Sequence, residues 1–208
     1  MKKKISLILG IIVFVILAVG SVGGSSSSSY SSSSKEEKKQ DKKAEEPKKE
    51  ETSKEVSKGY KPGMYKVGSD IPAGEYVIFA DSNENGYYER DEDSAGDSII
   101  DNDNFETFVY ANFKDGEYVK ISGAIAMPSS EVTESLAKNG VISKGMYKVG
   151  KDIEPGEYKI TTNEETYWER TDKDGDIIDN DNFENTAYVT VKKGEYFTIT
   201  DGQAEKIK

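Results

Sequence analysis

Apolar and polar residues alternate with a period of two through much of the C-terminal two thirds of the chain. Ala187, Val189 and Val191 alternate with Thr186, Tyr188, Thr190 and Lys192, and upstream Val109, Ala111 and Phe113 alternate with Phe108, Tyr110 and Asn112. Successive side chains on a strand point to opposite faces, so each run predicts a half-buried β-strand with the Val/Ala/Phe set inward. The next strand sends Val119 and Ile121, or Phe197 and Ile199, to the same core face. Asp115-Gly116 and Lys193-Gly194 mark the turns before it, and a loop of odd length keeps Phe113 opposite Val119. Ile71-Pro72-Ala73-Gly74 and Ile153-Glu154-Pro155-Gly156 read as turns between the first two strands of a unit. Short strands between turn signals predict small antiparallel β-sandwich or jelly-roll-like domains. One stretch departs from this pattern. Ser129 as a cap, Leu136-Ala137 and a closing Asn139-Gly140 predict a short helix over 129–139.

The strand pattern is written twice. GMYKVGSDIPAGEY starts at Gly63 and GMYKVGKDIEPGEY at Gly145; Tyr87-Tyr88-Glu89-Arg90 answers Tyr167-Trp168-Glu169-Arg170; IIDNDNFE recurs from Ile99 and Ile177. A period near 80 residues fits a duplicated small domain rather than a solenoid unit. The expected organisation is a first repeat over 60–128, a short helical linker over 129–142 and a second repeat over 143–208. Units this small, without cysteine, hold marginal cores, so packing of one copy against the other would add stability. These blocks resemble a repeat found in exported, membrane-anchored proteins and lipoproteins of Gram-positive bacteria. The resemblance covers both units and implies location and architecture, with no catalytic residues. Asp101 and Asp179 depart from the commoner I-I-A-N-D-N centre and add a carboxylate to each unit.

The N-terminal 58 residues follow neither period. Lys2, Lys3 and Lys4 precede an apolar run over 5–19 that continues through Val22 and three glycines, approaching the ~20 residues of a membrane span. The segment 1–24 is expected to be an N-terminal transmembrane helix; a cleaved signal peptide is the alternative, with Ala18-Val19-Gly20 at a plausible cleavage spacing. Either reading exports the rest, because the lysines hold the N-terminus in the cytoplasm. The expected location is therefore the cell membrane, single-pass with the C-terminal domains outside, or secreted after cleavage. Lipoprotein anchoring is excluded by the absence of cysteine. Residues 25–59, Ser-rich and then Lys/Glu-rich, contain too few apolar groups to offset the entropy of ordering and read as a disordered tether.

Charge and composition narrow the chemistry. The chain has no His and no Cys, which removes His-based nucleophile systems, ordinary zinc or haem sites and disulfides. The overall charge of -11 hides a basic N-terminus: residues 60–208 carry 16 basic and 31 acidic residues, a net of -15. Such a surface repels nucleic acid. Of 28 basic residues only Arg90 and Arg170 are Arg, and they fall at corresponding positions. A guanidinium grips a carboxylate through two hydrogen bonds, so each is expected to pair with Asp103 or Asp181, or with another carboxylate of the D-N-D-N segments; gripping an acidic ligand is the alternative.

The D-N-D-N segments, read as acidic turns, offer Asp101 and Asp103, and Asp179 and Asp181, as oxygen ligands for Ca²⁺. The EF-hand template fails here, since Ala95 and Arg170 occupy ligand positions and no Glu closes either loop. Tyr88, Trp168, Tyr110 and Tyr188 are candidate displayed rings for stacking on a glycan or a protein, or for packing between the units. Paired carboxylates also raise glycoside hydrolysis, but they crowd one segment in both copies instead of flanking a cleft. The expectation is a non-enzymatic extracellular binding or adhesion module. Its partners would be cell-wall or host glycan or a surface protein, and it carries no obligate cofactor.

Overall fold

A computed structural model describes residues 59–207. The predicted anchor over 1–24, and the tether over 25–59 except its last residue, lie outside the described residues. Among the described residues no helix is long and apolar enough to cross a membrane.

The first repeat has seven strands: β1 (Gly63–Lys66), β2 (Gly74–Ala80), β3 (Gly86–Asp91), β4 (Ile99–Phe105), β5 (Phe108–Phe113), β6 (Tyr118–Ser122) and β7 (Ala124–Pro128). They form a four-stranded sheet, β1-β6-β3-β4, and a three-stranded sheet, β5-β2-β7, with antiparallel pairing throughout. The second repeat gives β8 (Gly145–Lys148), β9 (Gly156–Thr161), β10 (Thr166–Thr171), β11 (Ile177–Phe183), β12 (Thr186–Val191), β13 (Tyr196–Ile199) and β14 (Gln203–Lys206). Its sheets, β11-β10-β13-β8 and β12-β9-β14, repeat the same order.

Both sheets of a repeat feed one core. Tyr76, Ile78, Val109 and Phe113 from the three-stranded sheet meet Tyr88, Val119 and Ile121 from the four-stranded one. Tyr158, Ile160, Val189 and Val191 likewise meet Trp168, Phe197 and Ile199. This is the predicted all-β, sandwich-like class, and the Val/Ala/Phe face of β5 points inward as the alternation requires. The buried tyrosine of each second strand also ties down the turn before it: Tyr76 Oη donates to the Pro72 carbonyl and Tyr158 Oη to that of Glu154, each at 2.7 Å.

Three local expectations are corrected. The Asp-Gly turn after β5 does not close a hairpin: β5 pairs β2 whereas β6 pairs β1 and β3, so the chain arches from one sheet to the other. Phe113 and Val119 therefore meet across the core rather than along a ladder. The I-I-D-N-D-N segments are not turns but the edge strands β4 and β11, paired to β3 and β10. Their carboxylates suit an edge, because charge blunts further strand pairing.

The helix predicted over 129–139 is absent; only a 3₁₀ turn, Lys138–Gly140, forms there. This stretch instead gives its polar groups to the second repeat. The Ser135 hydroxyl donates to the Asp152 carbonyl at 2.8 Å, and the Leu136 N–H to Asp152 Oδ1 at 3.0 Å, while Leu136 packs against both cores.

The repeats dock as parts of one compact unit. Met146 and Tyr196 of the second repeat join the first core, and Phe108 of the first packs against the second. Fully burying one such side chain contributes roughly 1.5–3 kcal/mol, a large share of the ~5–15 kcal/mol by which domains are stable.

Candidate functional site

The two arginines come from the third strand of each repeat, and both are held internally. Arg90 is 4% exposed and grips Glu117 with two bonds, Nε to Oε2 at 3.0 Å and Nη2 to Oε1 at 2.8 Å. Asp101 lies 3.6 Å from Nη1. The Glu117 carboxylate also caps the arch between sheets, accepting the Lys114 N–H at 2.9 Å. Burial opposes the Arg90 charge, but the paired carboxylates outweigh it and its pKa rises.

Arg170 makes a looser version of the same site. Its Nη1 donates to the Thr190 carbonyl at 2.7 Å and to Glu195 at 3.2 Å, its Nη2 reaches Asp179 at 3.4 Å, and its buried Nε finds no partner. The predicted D-N-D-N carboxylate is thus Asp101 or Asp179 rather than Asp103 or Asp181. The principal partner is Glu117 or Glu195, which lies outside the D-N-D-N segments in a Gly-Glu-Tyr triplet that recurs at positions 74, 116, 156 and 194.

Of the four candidate rings, only Tyr188 is displayed, at 61% exposure. Tyr88, Trp168 and Tyr110 are buried, at about a twentieth exposed each. Tyr88 Oη donates to Asp101 at 2.7 Å; burial first, and then the Asp101 charge, hold its pKa well above the ordinary phenol value. Trp168 fills the same space without reaching the carboxylate, and its Nε1 has no partner. The outward position of the aromatic pair therefore belongs to Tyr87 and Tyr167, both half-buried. Each donates to the glutamate two residues on, Tyr87 to Glu89 and Tyr167 to Glu169, the latter at 2.9 Å.

The four candidate metal ligands do not converge. Asp101 and Asp103 sit at alternate positions of β4 opposite Arg90 and Tyr88, and Asp179 and Asp181 match them on β11. Asp101 is engaged by Tyr88 and Arg90, and among the described residues no group of three or more carboxylates is arranged to hold a metal ion. Asp103 faces Glu169 of the second repeat. Burial, with the Glu169 and Asp101 charges, pushes its carboxyl up to about 7, and Glu169 is raised by burial and by Asp101 in turn. Asp91 is fully buried at the end of β3, and neither of its oxygens has a hydrogen-bond partner. Burial and Glu89 raise its pKa.

A polar network joins the repeats. Tyr110 Oη donates to Asp152 Oδ2 at 2.8 Å, and the same oxygen accepts the Lys148 N–H at 2.9 Å. Glu75 takes Lys148 Nζ at 2.5 Å and the hydroxyl of Tyr196. Burial raises the Glu75 pKa, but hydrogen bonds from Lys148, Ser129 and Tyr196 outweigh it and leave the carboxyl below its usual range. The Tyr110 and Tyr196 rings lie 5.3 Å apart, and Phe108 meets Tyr147 edge-on at 5.1 Å. Gly145 permits this approach, since a Cβ there would come within 2.7 Å of the Phe108 ring. Two clefts of about 420 and 360 Å³ open beside Asp81 and beside Pro72, and neither is lined by an arginine or an Asp-Asn strand.

Fold and site together define an all-β module of two docked sandwich repeats, in which both arginines are held by carboxylates of their own repeat. Residues 139–203, running from the end of the linker to the first residue of β14, match the model of the Rv1352-like extracellular domain. This supports an extracellular domain. No curated protein and no solved structure matches the chain.

Proposed function

We propose that the chain is a membrane-anchored extracellular binding or adhesion module that acts through its outer sheet faces rather than through a pocket. The N-terminal apolar segment would hold it in the membrane, and the Ser- and Lys/Glu-rich tether would carry the repeats away from the surface. One observation carries this reading. Internal pairing consumes Arg90, Arg170, Tyr88 and Tyr110, burial takes up Trp168, and Tyr188 is left displayed on the outer face of β12. A ring on a polar sheet face suits stacking on a wall or host glycan, or contact with a surface protein.

No catalytic role is proposed, since the paired carboxylates serve Arg90 and Arg170. No cofactor is proposed, because the Asp side chains of β4 and β11 do not gather around one point. A structural or sensory ectodomain that contacts another membrane or wall protein is the second reading. Met64, 45% exposed on β1, favours it as a second surface patch.

The test uses the full chain in lipid nanodiscs against purified wall polymer, a glycan panel and surface-protein extracts. Glycan or polymer binding that Tyr188→Ser weakens, with the unfolding midpoint unmoved, supports the first reading. Specific co-purification of one protein without glycan binding moves the assignment to the second.

A further inference from the structure

The seam between the repeats is heterologous: the outer face of β2 and β5 in the first repeat meets the outer face of β8 and β13 in the second. Duplication gives each repeat both faces, so one docked seam leaves one copy of each face unused. The unused receiving face is on the first repeat, where Met64, Lys66, Asp70 and Tyr118 stand in the places of Met146, Lys148, Asp152 and Tyr196. It already has the docked geometry. Asp70 accepts the Lys66 N–H at 2.8 Å as Asp152 accepts that of Lys148 at 2.9 Å. Lys66 stands 5.3 Å over the Tyr118 ring, as Lys148 stands 5.5 Å over that of Tyr196. Met64 is 45% exposed where Met146 is 8% exposed. The corresponding inserting face is on the second repeat, with the exposed Tyr188 in the place of Tyr110.

We propose that these faces pair between chains, head to tail, with Tyr188 of one copy entering against Met64, Asp70 and Tyr118 of the next. A heterologous contact that does not close on two copies propagates into open chains. The interchain seam is weaker than the intrachain one for identifiable reasons. Val77, Phe79 and Phe108 are replaced by Lys159, Thr161 and Thr186 on the inserting face, and Lys144 and Lys151 by Pro62 and Ser69 on the receiving face. The tyrosine that fixes register is kept while apolar area is lost, as on the polar outer faces of terminal repeats. Such a contact forms where chains share one membrane and their effective concentration is high.

The cysteine-free chain allows a clean test. Gly63 and Thr186 correspond to Gly145 and Phe108, which touch in the intrachain seam, and both are exposed. The full chain carrying Gly63→Cys and Thr186→Cys, reconstituted in lipid vesicles and treated with a short thiol crosslinker, is expected to give a ladder of multimers. Each single variant gives little product, and a mixture of the two gives a dimer containing one of each. Adding Tyr188→Ala should lower cross-linking by about fivefold or more, as loss of a central interface tyrosine does. Product no greater than that of the single variants overturns the proposal, and so does a ladder that Tyr188→Ala leaves unchanged.

Discussion

Tyr110 and Tyr188 occupy the same place in the same strand of two copies of one repeat, yet one is 5% and the other 61% exposed. The first has Asp152 and the Tyr196 ring against it; the second has no such neighbour among the contacts of the described residues. Period-two alternation sends both rings outward from their own core. Whether outward means solvent depends on what docks there. The surroundings changed with the role: Phe108 and Val77 flank Tyr110, and Thr186 and Lys159 flank Tyr188. Duplication thus supplied two identical faces, and substitution made one a buried seam and the other a surface.

The largest expected effect comes from breaking this comparison directly. Tyr110→Ala is expected to cost ~3–5 kcal/mol, because it empties aromatic volume and leaves the Asp152 carboxylate without its hydroxyl donor. Tyr188→Ala should stay within about 0.5 kcal/mol, as exposed substitutions do. Denaturant unfolding of both variants gives the two numbers.

The arginines sharpen the same contrast. Arg90→Lys keeps the charge but loses one of two bonds to Glu117 in a site closed to water, and is expected to cost about 1.5–3 kcal/mol. Arg170→Lys should cost less, since its two carboxylate contacts are longer and its Nε is already unpartnered. Equal costs would show that the tighter fork of the first repeat adds nothing.

Asp91 has Thr171 as its counterpart, and Thr171 is as well buried without a charge. Asp91→Thr should therefore raise stability by about 1 kcal/mol, by removing a buried carboxylate whose oxygens have no partner. Thermal unfolding near neutral pH reads this gain.

A pH dependence is set at the repeat boundary. Asp103 holds a proton in the folded chain up to about pH 7, whereas an unfolded Asp releases it near about 3.9. Between those values the folded state binds more protons, so this contribution to stability is present at low pH and is lost as pH rises through about 7. Asp103→Asn should then raise the unfolding midpoint at pH ~8 and leave it nearly unchanged at pH ~4.

Legibility in the sequence followed the range of the forces involved. Alternation is local, so Val109, Ala111 and Phe113 could be assigned to a core from their spacing alone, and the duplicated blocks located both repeats. Partner choice is not local. The sequence marked Arg90 as paired but not with Glu117, because the arch that brings Glu117 across belongs to the sandwich topology and not to the Asp-Gly turn. The D-N-D-N segments read as turns because Asn and Asp favour them, yet strand pairing with β3 and β10 overrode that preference. The linker read as a helix until the Asp152 carboxylate and carbonyl claimed its polar groups. Glu75, Lys148 and Asp152 lay in the most strongly repeated blocks, where their identity looked like fold maintenance. Their second use at the seam is visible only when the copies meet.

The two repeats dock through Tyr110, Glu75, Lys148 and Asp152, and docked repeats should unfold as one unit. Differential scanning calorimetry of the full chain tests it most directly. A single transition over the repeats, with calorimetric and van't Hoff enthalpies equal, is expected, and Tyr110→Ala should lower it or split it in two. Two separate transitions in the unmodified chain, neither moved by Tyr110→Ala, would contradict it.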